Sequence, residues 1–276
     1  MESAERQRAE REAAHVARLS PYVEPHLARR RAGVPHPVHD FLFTYYSFRP
    51  AQLLRWHPGG GTPDQVEARR TLLETTRRLL VATASRPAQL GCFGMHEWAM
   101  VYRSDAPRHD RPLRLGGHGT DAVVEQHRIT CTHFDAYRFF TDAARPLNTL
   151  RPAADDRADF EQPGCLHAGM DLYKHAFRLS PLVSADLVAD CFELAWEIRV
   201  MDMRAAPYDL TGTVLDPTGE PWTPIAVETA EGKREYAAAQ AGFAERGAPL
   251  RARLVAEIDA LLEGLLGGKP SDPSRG

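Results

Sequence analysis

SADLVADCFELAWEIRVMDMRAA, residues 184–206, reads as one long helix with a marked start and a marked stop. Ser184 stands where an N-cap hydroxyl would satisfy an open backbone amide, and Pro207 ends the helix after Ala206. On a wheel of about 100° per residue, Leu187, Val188, Cys191, Leu194, Ala195, Ile198 and Ala205 form a broad apolar face. Phe192, Trp196, Val200 and Met203 cover most of the remainder, and a helix apolar nearly all round belongs at the centre of a protein. The exception is a line of carboxylates, Asp186, Asp190, Glu193 and Glu197, within a sector of roughly 60°. Buried charge is costly unless it is paired or used, so this line is expected to face a polar cavity or a set of arginines. Two readings stay open: a salt-bridged stripe, or a general acid/base or metal ligand with its pKa raised by like-charged neighbours.

Outward from this segment the pattern stays helical. Residues 166–179 suit a helix ending near Ser180 and Pro181, and residues 64–85 carry Leu72, Leu73, Leu79 and Leu80 at burial spacing. Residues 3–19 form a charged, weakly amphipathic helix, and a second helix is expected from Ser20-Pro21 to about Arg31. A further helix is expected over about 133–144, and a terminal pair over 232–247 and 249–266, split by Gly247 and Pro249. HEWAMVYR (96–103) and DAVVEQHRITC (121–131) each suit a strand or a short helix, and 211–230 suits a loop with a short strand. The expectation is a mainly α protein: a single helical-bundle-like domain over 20–266 with a minor irregular or short-strand region. A helical extension over 1–19 and a flexible tail over 267–276 complete it.

Composition narrows the function classes. With 43% hydrophobic and 26% charged residues, the 276-residue chain can bury a large core. No apolar run approaches the roughly 20 residues of a membrane span, and MESAERQRAEREAAH lacks the apolar centre of a secretory signal. A cytoplasmic protein with no membrane partner is expected. Its four cysteines are then thiols rather than a disulfide framework. A net charge of −3 argues against a protein that coats DNA nonspecifically. No P-loop, dinucleotide-binding, nucleophile-elbow or zincin-helix motif occurs.

Several clusters carry chemistry. Cys92-x3-His96, Cys131-x-His133 and Cys165-x-His167 pair thiols with imidazoles, the preferred zinc ligands. In extended segments, Cys131/His133 and Cys165/His167 would combine as a Cys₂His₂ site. His167, Asp171 and His175, spaced i, i+4, i+8, form a ladder along one side of a helix. With Cys165 they are the candidate ligands of a zinc or non-haem iron centre, for which Asp190, Glu193 and Glu197 would supply partners. His36, His39 and Asp40 precede FLFTYYSFRP, where Tyr45, Tyr46 and Phe48 suit either an aromatic slot or plain core.

Five segments together carry a resemblance: HPVHDFLFTYYSFRPAQLLRWHPG (36–59), CFGMHEWAMVYR (92–103), ITCTHFDAYRFFTDAARPLN (129–148), EQPGCLHAGMDLYKHAFRLSP (161–181) and VADCFELAWEIRVMDMRAAPYDL (188–210). Over about residues 20–255 the chain resembles a group of actinobacterial proteins commonly named 3-methyladenine DNA glycosylase. The resemblance implies a DNA-repair hydrolase that acts on double-stranded DNA, flips out an alkylated purine and cleaves its N-glycosidic bond without a required cofactor. The chain lacks the helix-hairpin-helix turn and the HEAT-like helix pairs of well-described glycosylases, so no catalytic residue carries across from them. On that reading the base would be Glu193, Asp190 or Glu197, with Asp171 as runner-up. Tyr45, Tyr46, Trp98 and Tyr173 would stack on bases, His133 would be a further substrate contact, and Arg49, Arg55 and Arg138 would meet phosphates. The alternatives are a metal-dependent helical enzyme acting on a small molecule and a non-enzymatic helical binding protein.

Overall fold

The computed structural model describes residues 2–104 and 111–267. Its helices run α1 (Glu2–Ala32), α2 (Phe41–Thr44), α3 (Pro50–Leu53), α4 (Pro63–Glu67), α5 (Arg70–Ala84) and α6 (Met95–Ala99). They continue with α7 (Gly116–Glu125), α8 (Phe134–Tyr137), α9 (Arg157–Phe160), α10 (Leu166–Leu179), α11 (Ala185–Ala205) and α12 (Ala230–Gly267). A hairpin of β1 (Val214–Leu215) and β2 (Glu220–Pro221) pairs Val214 with Pro221 and Leu215 with Glu220, antiparallel. The protein is mainly α, and among the described residues no helix is long and apolar enough to cross a membrane.

Helix α11 is the axis. The Leu187 amide donates to the Ser184 hydroxyl at 3.4 Å, and Ser184 is itself held by Glu257 of α12 through two 2.7 Å hydrogen bonds. Helix α10 lies along α11, with α12 and α5 packed around the pair. Gly169 allows the close approach, because a Cβ there would meet Ile198 Cδ1 at 2.7 Å. Leu172, Tyr173, Phe192, Leu194 and Ile198 fill the contact as buried core.

Proline placement misleads at both ends of the chain. The helix expected to restart at Ser20-Pro21 does not; α1 runs unbroken through Pro21 and Pro25. Buried Leu19, Val23 and His26 share one face of it, while Arg18 and Arg29 tie down either side of the prolines. Packing outweighs the lost backbone bonds there. The expected terminal pair is likewise one helix: Tyr236, Gln240, Gly247, Arg251, Leu254 and Ile258 hold one buried face across Pro249. The helix expected over 133–144 shrinks to α8, because the Thr141 amide and hydroxyl bond to the Ala99 and Tyr102 carbonyls instead. Of HEWAMVYR, residues 96–99 lie in α6, and of DAVVEQHRITC, residues 121–125 lie in α7, while Ile129 makes an isolated parallel bridge to Asn148. Of the expected tail, residues 268–276 lie outside the described residues.

Candidate functional site

Along the acidic line on α11, Asp190, Glu193 and Glu197 meet arginines and Asp186 meets Trp56. Glu197 also borders an open cleft of about 450 Å³ beside Tyr22 and Trp196. Arg18 of α1 donates to Glu193 at 2.9 and 2.5 Å and to Asp190 at 2.7 Å. Arg253 of α12 takes the other oxygen of Asp190 at 2.6 Å, and Arg246 grips Glu197 through two 2.6 Å bonds. Asp186 accepts from the Trp56 indole at 3.3 Å. These pairs are partly exposed, and such pairs contribute at most about 1 kcal/mol each. The expected catalytic placement of Asp190, Glu193 and Glu197 around a sheltered hollow is therefore corrected: α1 and α12 flank this side of α11 and saturate it.

The buried charge lies on the opposite side, where α10 meets α6, α9 and α11. Asp171 accepts from Arg157 at 2.8 Å, from Lys174 at 3.2 Å and from the Tyr46 hydroxyl at 3.1 Å, and His133 Nε2 stands 3.3 Å away. Burial pushes the Asp171 carboxyl up, but Lys174 and His133 more than offset this and hold it well below the usual range. An ionised carboxylate with every oxygen engaged is a positioning anchor rather than a free base. Burial pushes His175 down to about 3, so it stays neutral.

A second buried chain runs from Cys92 Sγ, 3.7 Å from His96 Nδ1, through His96 Nε2 to Asp202 Oδ1 at 2.9 Å. Arg199 of α11 donates to the other Asp202 oxygen at 3.1 Å. Burial opposes charge on His96, yet Asp202 outweighs it and raises the imidazole pKa well above its ordinary value. His167 lies edge-on to His96 with ring centres 4.5 Å apart. Burial and the neighbouring His96 push its pKa far down. Cys92, Cys131, Cys165 and both imidazoles line a cavity of only about 10 Å³, room for about one water-sized particle. A Cys–His–Asp order suits thiol catalysis, but a space of that size holds no acyl substrate.

The expected ladder therefore divides by partner. Asp171 goes to the Arg157–Lys174 network, while His167 joins His96 and Asp202. The expected Cys₂His₂ set does not assemble among the described residues, since His133 turns to Asp171 and Glu161 while Cys131 and Cys165 face the cavity.

Aromatic candidates divide as well. Trp98 is fully buried and donates to the Ala205 carbonyl, and Tyr173 is fully buried against Phe48, Phe177 and Phe192. Neither is placed to stack on a base. Tyr45 stacks on Phe41 and accepts from Arg138 at 3.0 Å, and Tyr46 is committed to Asp171. Arg55 is exposed.

Arg49, by contrast, borders an open cleft of about 690 Å³ between the end of α1 and the α2–α3 segment. His26, Arg30, Asp40, Phe43 and Phe48 also line it. His26 Nδ1 lies 2.7 Å from Asp40 Oδ1, and its ring stacks on Phe43 with centres 4.3 Å apart. The His36 amide donates to Asp40 Oδ2 at 2.7 Å, and Arg29 stands 3.8 Å from the carboxylate. This fixes the imidazole's orientation and leaves Nε2 as the nitrogen able to take a proton. Ser47, also in the wall, holds a left-handed φ of +55°, a geometry that costs a non-glycine residue energy and concentrates at functional positions. Compared with protein-family models, curated proteins and solved structures, the chain matches none.

Sequence reasoning marked Asp40 and Arg49 but missed His26, which reads as one more polar residue of a charged helix. It also missed Asp202, which falls outside the acidic line of its own helix.

Proposed function

We propose that the protein is a DNA N-glycosylase that releases alkylated purines such as 3-methyladenine, and that it works in the cleft between α1 and α2. The observation that carries this reading is the pairing of an oriented His26–Asp40 dyad with an open space of about 690 Å³ rimmed by arginine. A narrow hollow without basic rim would favour a free small molecule instead. Arg30 and Arg49 are exposed in the wall and make no ion pair among the described residues, and Arg31 extends the basic end of α1. Such groups suit phosphate contacts that position a duplex despite the negative net charge. The resemblance over residues 20–255 points to the same chemistry.

An alkylated purine nucleotide is already cationic, so its base departs neutral once the N-glycosidic bond breaks, taking the bonding electron pair. Water then needs only to be deprotonated as it adds to C1′ of the sugar. His26 Nε2 accepts that proton, and Asp40 steadies the imidazolium that results. The carboxylate also offsets positive charge building on the sugar.

The test is release of methylated purine from alkylated duplex DNA, followed chromatographically with purified protein. Asp40→Asn should lower the release rate at least about a hundredfold, within the usual reach of positioned acid–base groups. Release by the wild type that Asp40→Asn leaves unchanged would remove the dyad from the reaction.

A further inference from the structure

We propose that His96, His167 and Asp202 form a binding site for one divalent first-row transition ion, independent of the α1–α2 cleft. The three side chains come from α6, α10 and α11, and one donor atom from each lies within 4.8 Å of the others. All three are buried among the core helices.

The second observation concerns His167. Its side chain is nine-tenths buried, yet neither ring nitrogen has a hydrogen-bond partner among the described residues. The ring borders the small cavity with no protein group holding its nitrogens, and a coordinated ion would fix it in place. The Tyr236 hydroxyl lines the same cavity, is fully buried and is also unpartnered.

The surroundings supply what a coordinating set needs beyond its ligands. Cys92 Sγ takes the Nδ1 side of His96, so Nε2, which now shares its proton with Asp202, is the nitrogen a metal ion would take once that proton leaves. Arg199 holds the outer oxygen of Asp202, leaving the inner one toward His96. When the ion enters, the proton shared between His96 and Asp202 leaves to solvent, and both atoms become ligands. Two imidazoles and one carboxylate are the donor set of zinc and ferrous sites with an open position. His96 and His167 both line the small cavity, which offers room for such a position. The other histidine–carboxylate group, His36, His39 and Asp216, is different in kind. Both ring nitrogens of His36 and the Nε2 of His39 already have backbone partners there.

Chelator-treated full-length protein, titrated with Co²⁺ and competed with Zn²⁺, tests the site. The expected result is one equivalent bound, visible d–d absorbance, displacement by Zn²⁺, and a higher melting temperature with metal. His167→Ala and Asp202→Asn should weaken Co²⁺ binding at least about tenfold, with native near-ultraviolet circular dichroism confirming their fold. Cys131→Ala, which alters the cavity but no ligand, should bind as the wild type does. Wild-type protein that binds no stoichiometric Co²⁺ or Zn²⁺ and gains no stability from either overturns the proposal, whatever the variants do. So does binding that survives in His167→Ala and disappears in Cys131→Ala, which would place the ion among the thiols.

Discussion

Asp40 and Glu193 differ in what borders them, and that difference is why the proposed chemistry is assigned to Asp40. Glu193 is gripped by Arg18 at a partly exposed surface, whereas Asp40 orients His26 beside open space. The sequence shows that Asp190, Glu193 and Glu197 share a sector of α11. It does not show what lies opposite, because Arg18 sits 175 residues from Glu193 along the chain. A separation of 106 residues likewise hides His96 from Asp202, although His96 and His167 stand out beside their cysteines. At this scale Arg49 offers a direct prediction. Arg49→Ala should weaken duplex binding about equally for all sequences and lower the salt-dependence slope by about one, read by binding titrations across ionic strength. An unchanged slope would place the DNA elsewhere.

Helix boundaries follow capping and packing together, and only capping is local. Ser184 and the stop before Pro207 are legible, since each is a short-range hydrogen bond or a proline, whereas the helix expected over 64–85 is in fact two, Pro63–Glu67 and Arg70–Ala84. Pro21, Pro25 and Pro249 are not legible, because their helices are carried across them by buried faces that only the fold completes. Pro249 is exposed, so its ring contributes no core packing, yet it removes a backbone hydrogen bond inside α12. Pro249→Ala should therefore stabilise the protein by about 1–3 kcal/mol, the propensity gain less the added entropy of the unfolded chain. Denaturant titration measures it, and a destabilised variant would show that α12 needs the proline's geometry.

Across the molecule, the class was readable: apolar periodicity near 3.6 over most of the chain predicts a mainly α fold, and the structure is one. The buried imidazoles set its response to acid. Burial holds His175 neutral down to about 3 and His39 down to about 2, whereas an unfolded chain protonates histidine near 6.5. Below 6.5 the unfolded state therefore binds more protons, so stability falls as pH drops from there toward 3. Asp171, depressed well below 3.8, adds to the loss at the acid end of this range. Denaturation midpoints measured from pH 7 downward should begin to fall near 6.5. A midpoint flat until pH 4 would mean that these imidazoles are hydrated in the folded state.

The most direct test compares base release from methylated duplex DNA by wild-type, His26→Ala and Glu193→Gln protein. The cleft assignment predicts release by the wild type, near-complete loss in His26→Ala and near-normal release in Glu193→Gln. Loss in Glu193→Gln with activity kept in His26→Ala, or no release by any of the three, would contradict it.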